Sequence, residues 1–412
     1  YSIERVIDMT ARELGMDPVE LRRMNFVKPD QYPYASAAGL EYDSGNYDRQ
    51  MDKLEAMIDR DGFEARRIES AKNGKLRGLG LNAYIEACGI APSNLVGILG
   101  ARVGLYDAAT VRVNATGSLA VMVGAHSHGQ GHETAFPQIV ADMLGIDPES
   151  IEIVHGDTAK IPFGMGTYGS RSLAVCGSAM VRATEKIIVK AKKIAAHMLE
   201  ASDADIELVD GQFTVAGTDK SVSFGEVALK AYIPHQYPIE DIEPGLEETA
   251  FYDPANFTYP SGAYACEVEV DPETGKVTIE KFAAADDFGN IINPMIVTGQ
   301  VHGGIGQGIG QALIEQTSYD SDGQLLSASY MDYAMPRADD MPFYQVNHDD
   351  GTPCTHNPLG VKGCGEAGAI GSPPTVVNAV IDALQRGGKN ITHIDMPLTP
   401  SRVWDAMNAK GV

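Results

Sequence analysis

The tightest constraint on this chain is a set of four glycine-rich runs lying at or inside segments with helical character: His126–Thr134, Gly164–Ser172, Gly303–Gly310 and Gly360–Pro374. Glycine lets the backbone turn sharply and approach a neighbour closely. A helix N-terminus offers unpaired N–H groups to an anion. A chain carrying four such runs is expected to gather loops around a ligand or to pack helices at short range.

Between the runs, residue spacing predicts the elements. Ile3, Val6, Ile7, Thr10 and Leu14 recur at helical spacing, so Ser2–Gly15 reads as helix. Asp17-Pro18-Val19-Glu20 is an N-cap, a proline at the first helical position and a capping-box glutamate, which open a second helix to Asn25. Pro29–Tyr42 reads as loop and Asn46–Arg60 as helix. Leu76–Glu86, Val111–Asn114 and Leu119–Gly124 are strand-like and glycine-bounded. His132–Leu144 is expected as helix, Ile151–His155 as strand, Gly177–Glu200 as a long helix and Ile206–Val215 as a short hairpin. Tyr264–Val270 and Lys276–Ala284 form a hairpin around Asp271-Pro272-Glu273-Thr274-Gly275. Gly303–Glu315, Pro373–Leu384 and Pro400–Asn408 read as helices. Strands and helices mix without a regular βαβ rhythm, which predicts an α+β fold. The neighbourhood of Gly74 is the expected domain boundary, dividing 1–74 from 75–412.

With 44% apolar residues the chain can build a sizeable core. It opens at Tyr1, inside the first helix, and is read as a piece of a longer protein. The net charge of −24 opposes binding to a phosphate backbone, and no basic patch offsets it. The five cysteines (Cys88, Cys176, Cys266, Cys354, Cys364) contain no C-x-x-C pair, so disulfide, iron–sulfur and zinc frameworks are not expected from them. Buried thiols in a reducing cytoplasm are the expected state. No run of 18 apolar residues suggests a membrane span.

The runs differ in chemistry. Gly129-Gln130-Gly131, just before a helix, offers N–H groups and an amide to an anion or oxo group. A zinc site on His126, His128 and His132, or a plain turn, are rival readings. Thr167, Ser170 and Ser172 hydroxyls with the Arg171 guanidinium suit a phosphate or pyrophosphate. The absence of G-x-x-x-x-G-K-[ST] argues against a P-loop. Gly303–Gly310 lacks the strand of a dinucleotide fold, so its glycines read as close helix packing with Gln307 facing a ligand. In Gly360–Pro374, Glu366 is a lone carboxylate among small residues; such a group is easily desolvated and becomes a usable general base near neutrality. A first-turn glutamate favoured by the helix dipole is the alternative.

The order G-Q-G-H-E-T, G-T-Y-G-S-R-S, I-N-P-M…G-Q-V-H-G-G and G-x-K-G-x-G-E resembles the large subunits of the molybdenum hydroxylases, a family that includes xanthine dehydrogenase, aldehyde oxidoreductase and aerobic carbon monoxide dehydrogenase. The resemblance spans essentially the whole chain and is closest to the carbon monoxide dehydrogenase branch through Gly166–Ser172, Tyr252-Asp253-Pro254 and Asn293-Pro294-Met295. It implies an α+β cofactor-binding subunit in which 1–74 is the tail of a first molybdopterin-binding domain and 75–412 the second. It implies molybdopterin cytosine dinucleotide carrying molybdenum with oxo and sulfido ligands, and no protein side chain on the metal. Copper would enter only through an upstream segment. FAD and [2Fe-2S] clusters are implied on flavin and iron–sulfur partner subunits, in a dimer of heterotrimers.

By the same resemblance Glu366 is the base that takes a proton from a water-derived oxygen nucleophile, while two electrons pass from a small-molecule substrate to the metal. Gly129, Gln130, Gly131, Thr167, Tyr168, Gly169, Ser170, Arg171, Ser172, Asp287, Gln307, Lys362, Gly363 and Gly365 are implied cofactor contacts. Carbon monoxide, an aldehyde or an N-heterocycle are the implied substrates. A catalytically inactive scaffold subunit is the alternative, and the presence of both Gln130 and Glu366 argues against it.

Overall fold

The computed structural model describes residues 1–90, 92–348 and 351–409. Two four-stranded mixed sheets organise the chain. One runs Tyr344–Asn347, Val277–Asp287, Ser261–Val270, Leu76–Ile85; the other runs Glu247–Tyr252, Asp107–Val113, Leu119–Val123, Ile151–Val154. Each is antiparallel except for one parallel edge pair. This is the α+β architecture that the irregular order of elements predicts.

The first sheet is covered on both faces. Pro294–Leu313 and Ala367–Arg386 bury Val301, Ile305, Val376 and Val380 against Tyr264, Cys266, Val268 and Phe282. Tyr47–Ile58 lays Met51, Leu54 and Ile58 on Ala263, Ala265, Ala283 and Ala285 of the opposite face. The expected division at Gly74 therefore crosses a shared core. Polar bonds join the same parts: Arg22 donates to the Leu81 carbonyl and Arg66 to Glu267.

Small residues set the spacing of the first face. A Cβ at Gly80 would stand 2.1 Å from the Thr375 carbonyl oxygen, so Ala367–Arg386 lies backbone-on-backbone against the strand. A Cβ at Gly304 would stand 2.9 Å from Gly368 Cα, so the Gly303–Gly310 run does serve close helix packing.

The second sheet packs against Ser178–Leu199 and His132–Leu144, burying Val121, Val140, Ala183 and Ile187. A π-helical turn, Ser172–Gly177, leads into Ser178–Leu199.

Several boundaries differ from expectation. The helix expected over Pro373–Leu384 begins at Ala367, with Pro373 and Pro374 inside it; the Ser372 and Thr375 hydroxyls bond the Gly368 and Gly371 carbonyls. The helix expected from Gly303 begins at Pro294, capped by Asn293. Pro29–Tyr42 contains a 3-10 turn, Pro29–Gln31, and the short pair Tyr34–Ala35 and Glu41–Tyr42. Phe63–Lys72 and Phe224–Tyr232 are helices, and Glu247–Tyr252 and Tyr344–Asn347 are strands, that apolar periodicity did not mark.

Candidate functional site

A cavity of about 630 Å³ opens where the two sheets' helices meet. Its wall is built from the starts of four helical segments. The Gly129–His132 turn precedes His132–Leu144, and Thr167–Leu173 precedes Ser178–Leu199. Asn290–Val297 opens Pro294–Leu313, and Lys362–Glu366 precedes Ala367–Arg386. Helix starts present N–H groups and positive partial charge, so their convergence favours an anionic ligand.

Hydroxyl bonds lock these loops together. The Thr167 hydroxyl donates to the His126 carbonyl at 2.7 Å and lies 2.8 Å from Ser172 Oγ. The Ser170 hydroxyl donates to Glu366 Oε2 at 2.8 Å, joining two loops far apart in sequence. Ser170 adopts a left-handed backbone, φ 49°, directly beneath Gly363, where an added Cβ would meet Ser170 Cβ at 2.6 Å. The Gln130 amide closes its own turn, donating to the His126 carbonyl at 3.1 Å and accepting from the His128 N–H. Asn293 caps its helix through the Ile296 N–H and donates to Gln138, tying this helix start to the middle of His132–Leu144.

Of the expected contacts, Gly129, Gln130, Thr167, Tyr168, Gly169, Ser170, Ser172, Gln307, Lys362, Gly363, Gly365 and Glu366 line this cavity. Three do not. Gly131 lies behind the wall against Ile296. Arg171 is fully buried, and its guanidinium bonds Asp107 at 2.9 Å and the carbonyls of Leu105, Ile90 and Gly166. It holds the Gly164–Ser172 loop from behind and has no N–H left for a phosphate on the wall. Asp287 is also fully buried and accepts from the Gly289 and Thr352 N–H groups. The Lys362 ammonium points inward too, to the Ser44 carbonyl and Asp287, so Lys362 meets the cavity through the rest of the residue.

The desolvated carboxylate is not the expected one. Glu366 is exposed to the cavity. Glu86, just past the end of the Leu76–Ile85 strand, is half-buried instead. Burial pushes its carboxyl up to about 7; a bond with Cys88 opposes this, and the neighbouring Glu366 carboxylate adds to it. Two carboxyls thus stand together, Glu366 on the wall and Glu86 behind it. Burial also pushes the Cys364 thiol up to about 12. His132, stacked on Phe136, is pushed down to about 4 by burial and stays neutral. The imidazoles of His126, His128 and His132 form no metal-ligating group among the described residues.

Sequence reasoning missed Glu86, Cys88, Cys364 and Gln300. Gln300 had a signal: it precedes Gln307 by two helical turns and shares its face. Glu86 and the two cysteines carried none, because their role arises from neighbours distant in sequence.

Comparison with known proteins gives the site a context. Residues 53–342 match the family described as molybdopterin cofactor-binding domain. The chain is 42% identical to the carbon monoxide dehydrogenase large chain of Hydrogenophaga pseudoflava, over 99% of this chain and 50% of that protein. It is 39% identical to the nicotine 6-hydroxylase large subunit of Paenarthrobacter nicotinovorans, over 99% of this chain and 49% of that one. It superimposes on quinoline 2-oxidoreductase from Pseudomonas putida 86 with a TM-score of 0.91 and 37% identity, over 99% of this chain and 51% of that one. The chain spans about half the length of the relatives it matches.

Proposed function

The chain belongs to the molybdopterin cofactor-binding family, and from that premise we propose that it forms the catalytic half of a carbon-monoxide-dehydrogenase-like molybdenum oxidoreductase. The observation that carries the reading is the Ser170–Glu366 bond at the floor of a cavity walled by helix starts.

The wall fits such a cofactor. It offers the amides of Gln130, Gln300 and Gln307, the hydroxyls of Thr167, Ser170 and Ser172, and bare backbone at Gly129, Gly169, Gly363 and Gly365. Among the described residues, the His, Cys and carboxylate groups of this wall do not cluster closely enough to hold a metal. A metal placed here is therefore best suited by arriving with its own organic sulfur ligands. When bound, the molybdenum cofactor supplies a two-electron acceptor and oxygen drawn from water. The protein supplies placement and one proton acceptor. Thr167, Tyr168, Ser170 and Ser172 would hold the pterin and its phosphates, and Gln130 and Gln307 would orient its polar edge. Ser170 engages Glu366 Oε2, which leaves Oε1 to take the proton of the attacking oxygen.

In this reading residues 1–74 end a first cofactor-binding domain and 75–412 form the second, the two packed through the core that Met51 and Leu54 share with Ala263 and Ala283. The cofactor is the cytosine dinucleotide form, and iron–sulfur and flavin subunits carry the electrons away in a cytoplasmic dimer of heterotrimers. Copper would come from a segment outside this chain. Hydroxylation of an N-heterocycle is the second reading, favoured by the nicotine and quinoline enzymes, whose likeness nearly equals that of the carbon monoxide enzyme.

Glu366→Gln in the complete complex tests the assignment. Molybdenum content should remain and turnover should fall by about 10²-fold or more, within the range of general-base catalysis. Full turnover would remove Glu366 from the reaction. Copper near one per molybdenum in the parent would select carbon monoxide, and none would select the hydroxylase.

A further inference from the structure

A second cluster, away from the cavity, joins residues that no sequence spacing connects. Asp43, Cys354 and His356 each offer a ligand atom, and the three atoms lie within 4.8 Å of one another. Cys354 is 4% exposed, and the side chains of Asp43 and His356 are 6% and 15% exposed. Such a carboxylate normally needs a cationic partner; among the described residues its ion-pair partner is His356, whose Nε2 lies 3.9 Å from Oδ2, and no Lys or Arg pairs with it. Its Oδ1 is buried without a hydrogen bond, and so is His356 Nδ1.

The remaining atoms are held as a ligand set requires. Asp43 Oδ2 accepts from the Thr355 N–H at 2.8 Å and its hydroxyl at 3.2 Å. His356 Nε2 donates to the Phe257 carbonyl at 2.9 Å, which leaves the unpartnered Nδ1 as the ring atom available to a cation. A backbone carbonyl on the far ring nitrogen is the usual support of a metal-bound imidazole. The Cys354 sulfur lies within hydrogen-bonding reach of the His356 and Asn357 backbone N–H groups and of the Asp43 carboxylate. One side of the cluster opens to a second cavity of about 730 Å³, bordered by Asp43, His356, Tyr32 and Asn256.

We propose that Asp43, Cys354 and His356 bind a divalent zinc-class cation, with water completing the fourth position. Carboxylate, imidazole and thiolate form a zinc-type donor set, and three protein ligands with one open position is a known zinc arrangement. Ligand atoms about a tetrahedral zinc ion stand roughly 3.5 Å apart, from bonds of about 2.0–2.3 Å. Closing the cluster thus needs side-chain movement of about an ångström. Binding displaces the thiol proton to solvent, and the carboxylate and thiolate neutralise the dication.

The ion acts as a clamp. It links the 41–44 segment to the 351–366 strap, which Ser44 and Lys362 already join through the Pro353 and Ser44 carbonyls. That strap ends in Glu366. The inference does not depend on the chemistry proposed at the cavity.

The test is zinc content and zinc-edge X-ray absorption of the complete, reduced complex, after exchange against a chelator and reloading with zinc alone. About one zinc per chain, with one sulfur near 2.3 Å and the remaining neighbours nitrogen or oxygen, is expected. Cys354→Ser and Asp43→Asn should each weaken zinc retention at least tenfold. Failure to retain zinc, or zinc with no sulfur neighbour, overturns the proposal. If the variants fail to fold, the sulfur neighbour in the parent complex decides the question by itself.

Discussion

Replacing Asp286 by Asn should change the pH dependence of stability by a defined slope. Asp286 is the penultimate residue of the Val277–Asp287 strand and is 1% exposed. The Tyr84 hydroxyl lies 2.7 Å from Oδ1 and that of Tyr264 lies 3.4 Å from Oδ2. Burial pushes the carboxyl up to about 8, against the two tyrosine bonds and with the help of the Asp287 charge. The unfolded chain ionises near 3.8. A folded value raised in this way adds stability fully below the unfolded value, and that stability is lost as the pH rises through about 8. In between, the folded protein keeps a proton that the unfolded chain has released, and stability falls by about 1.4 kcal/mol per pH unit. Asn cannot titrate and keeps an acceptor for Tyr84. The variant should therefore gain roughly 2–3 kcal/mol on the parent between pH 5 and pH 7. Urea midpoints at pH 5, 6 and 7 measure this directly. Parallel curves for parent and variant would refute the neutral buried carboxyl.

Three further substitutions probe the frame around the cavity. Gly80→Ala drives a Cβ into the Thr375 carbonyl, and because the neighbour is backbone it should cost roughly 1–3 kcal/mol or more; an unchanged melting temperature would contradict the close approach. The helix it displaces begins just after Glu366, so activity per folded molecule should fall as well. Arg171→Met takes away the ion-pair partner of a carboxyl that burial already raises to about 6, a loss of about 3–5 kcal/mol that Asp107→Asn should partly restore. Loss of cofactor loading with stability intact would instead return Arg171 to the phosphates. Glu86→Gln removes the half-buried carboxyl at about 7, so the turnover profile should change shape between pH 6 and pH 8; superimposable profiles would take Glu86 out of the site.

The elements that sequence predicted well are those whose own residues decide them. The hairpin of 261–287 turns at Asp271–Gly275, where Gly275 donates to the Asp271 carbonyl, as its turn residues require. The long helix ends at Leu199, within a residue of expectation. Misses have local reasons. Phe224–Tyr232 carries a Ser223–Glu226 capping box, a start signal that apolar periodicity alone does not register. Glycines 299, 303 and 304 diluted the pattern of Pro294–Leu313, although Asn293-Pro294 is an N-cap followed by a proline at the first position. Pro373 and Pro374 mask a helix that starts six residues earlier and packs closely on Tyr264 at Gly371. At the site, glycines and hydroxyls were legible as wall material. Arg171 was not, since a guanidinium in a glycine loop looks alike in sequence whether it faces ligand or core. Only Asp107, brought in by the second sheet, decides which.

The placement of Glu366 follows from the same logic. Its loop makes little contact that its own sequence would reveal. It is held at one end by the helix that Gly80 and Gly304 allow to sit deep, and at the other by Lys362, buried between Ser44 and Asp287. Ser170 reaches it from a loop that Arg171 pins to Asp107. The buried charges of this site thus do positioning work behind the wall, while the wall presents hydroxyls, amides and one exposed carboxylate. Substitutions of the buried charges should reduce activity through stability and geometry together, whereas substitution of Glu366 should reduce it with the fold unchanged, and that separation distinguishes the frame from the chemistry.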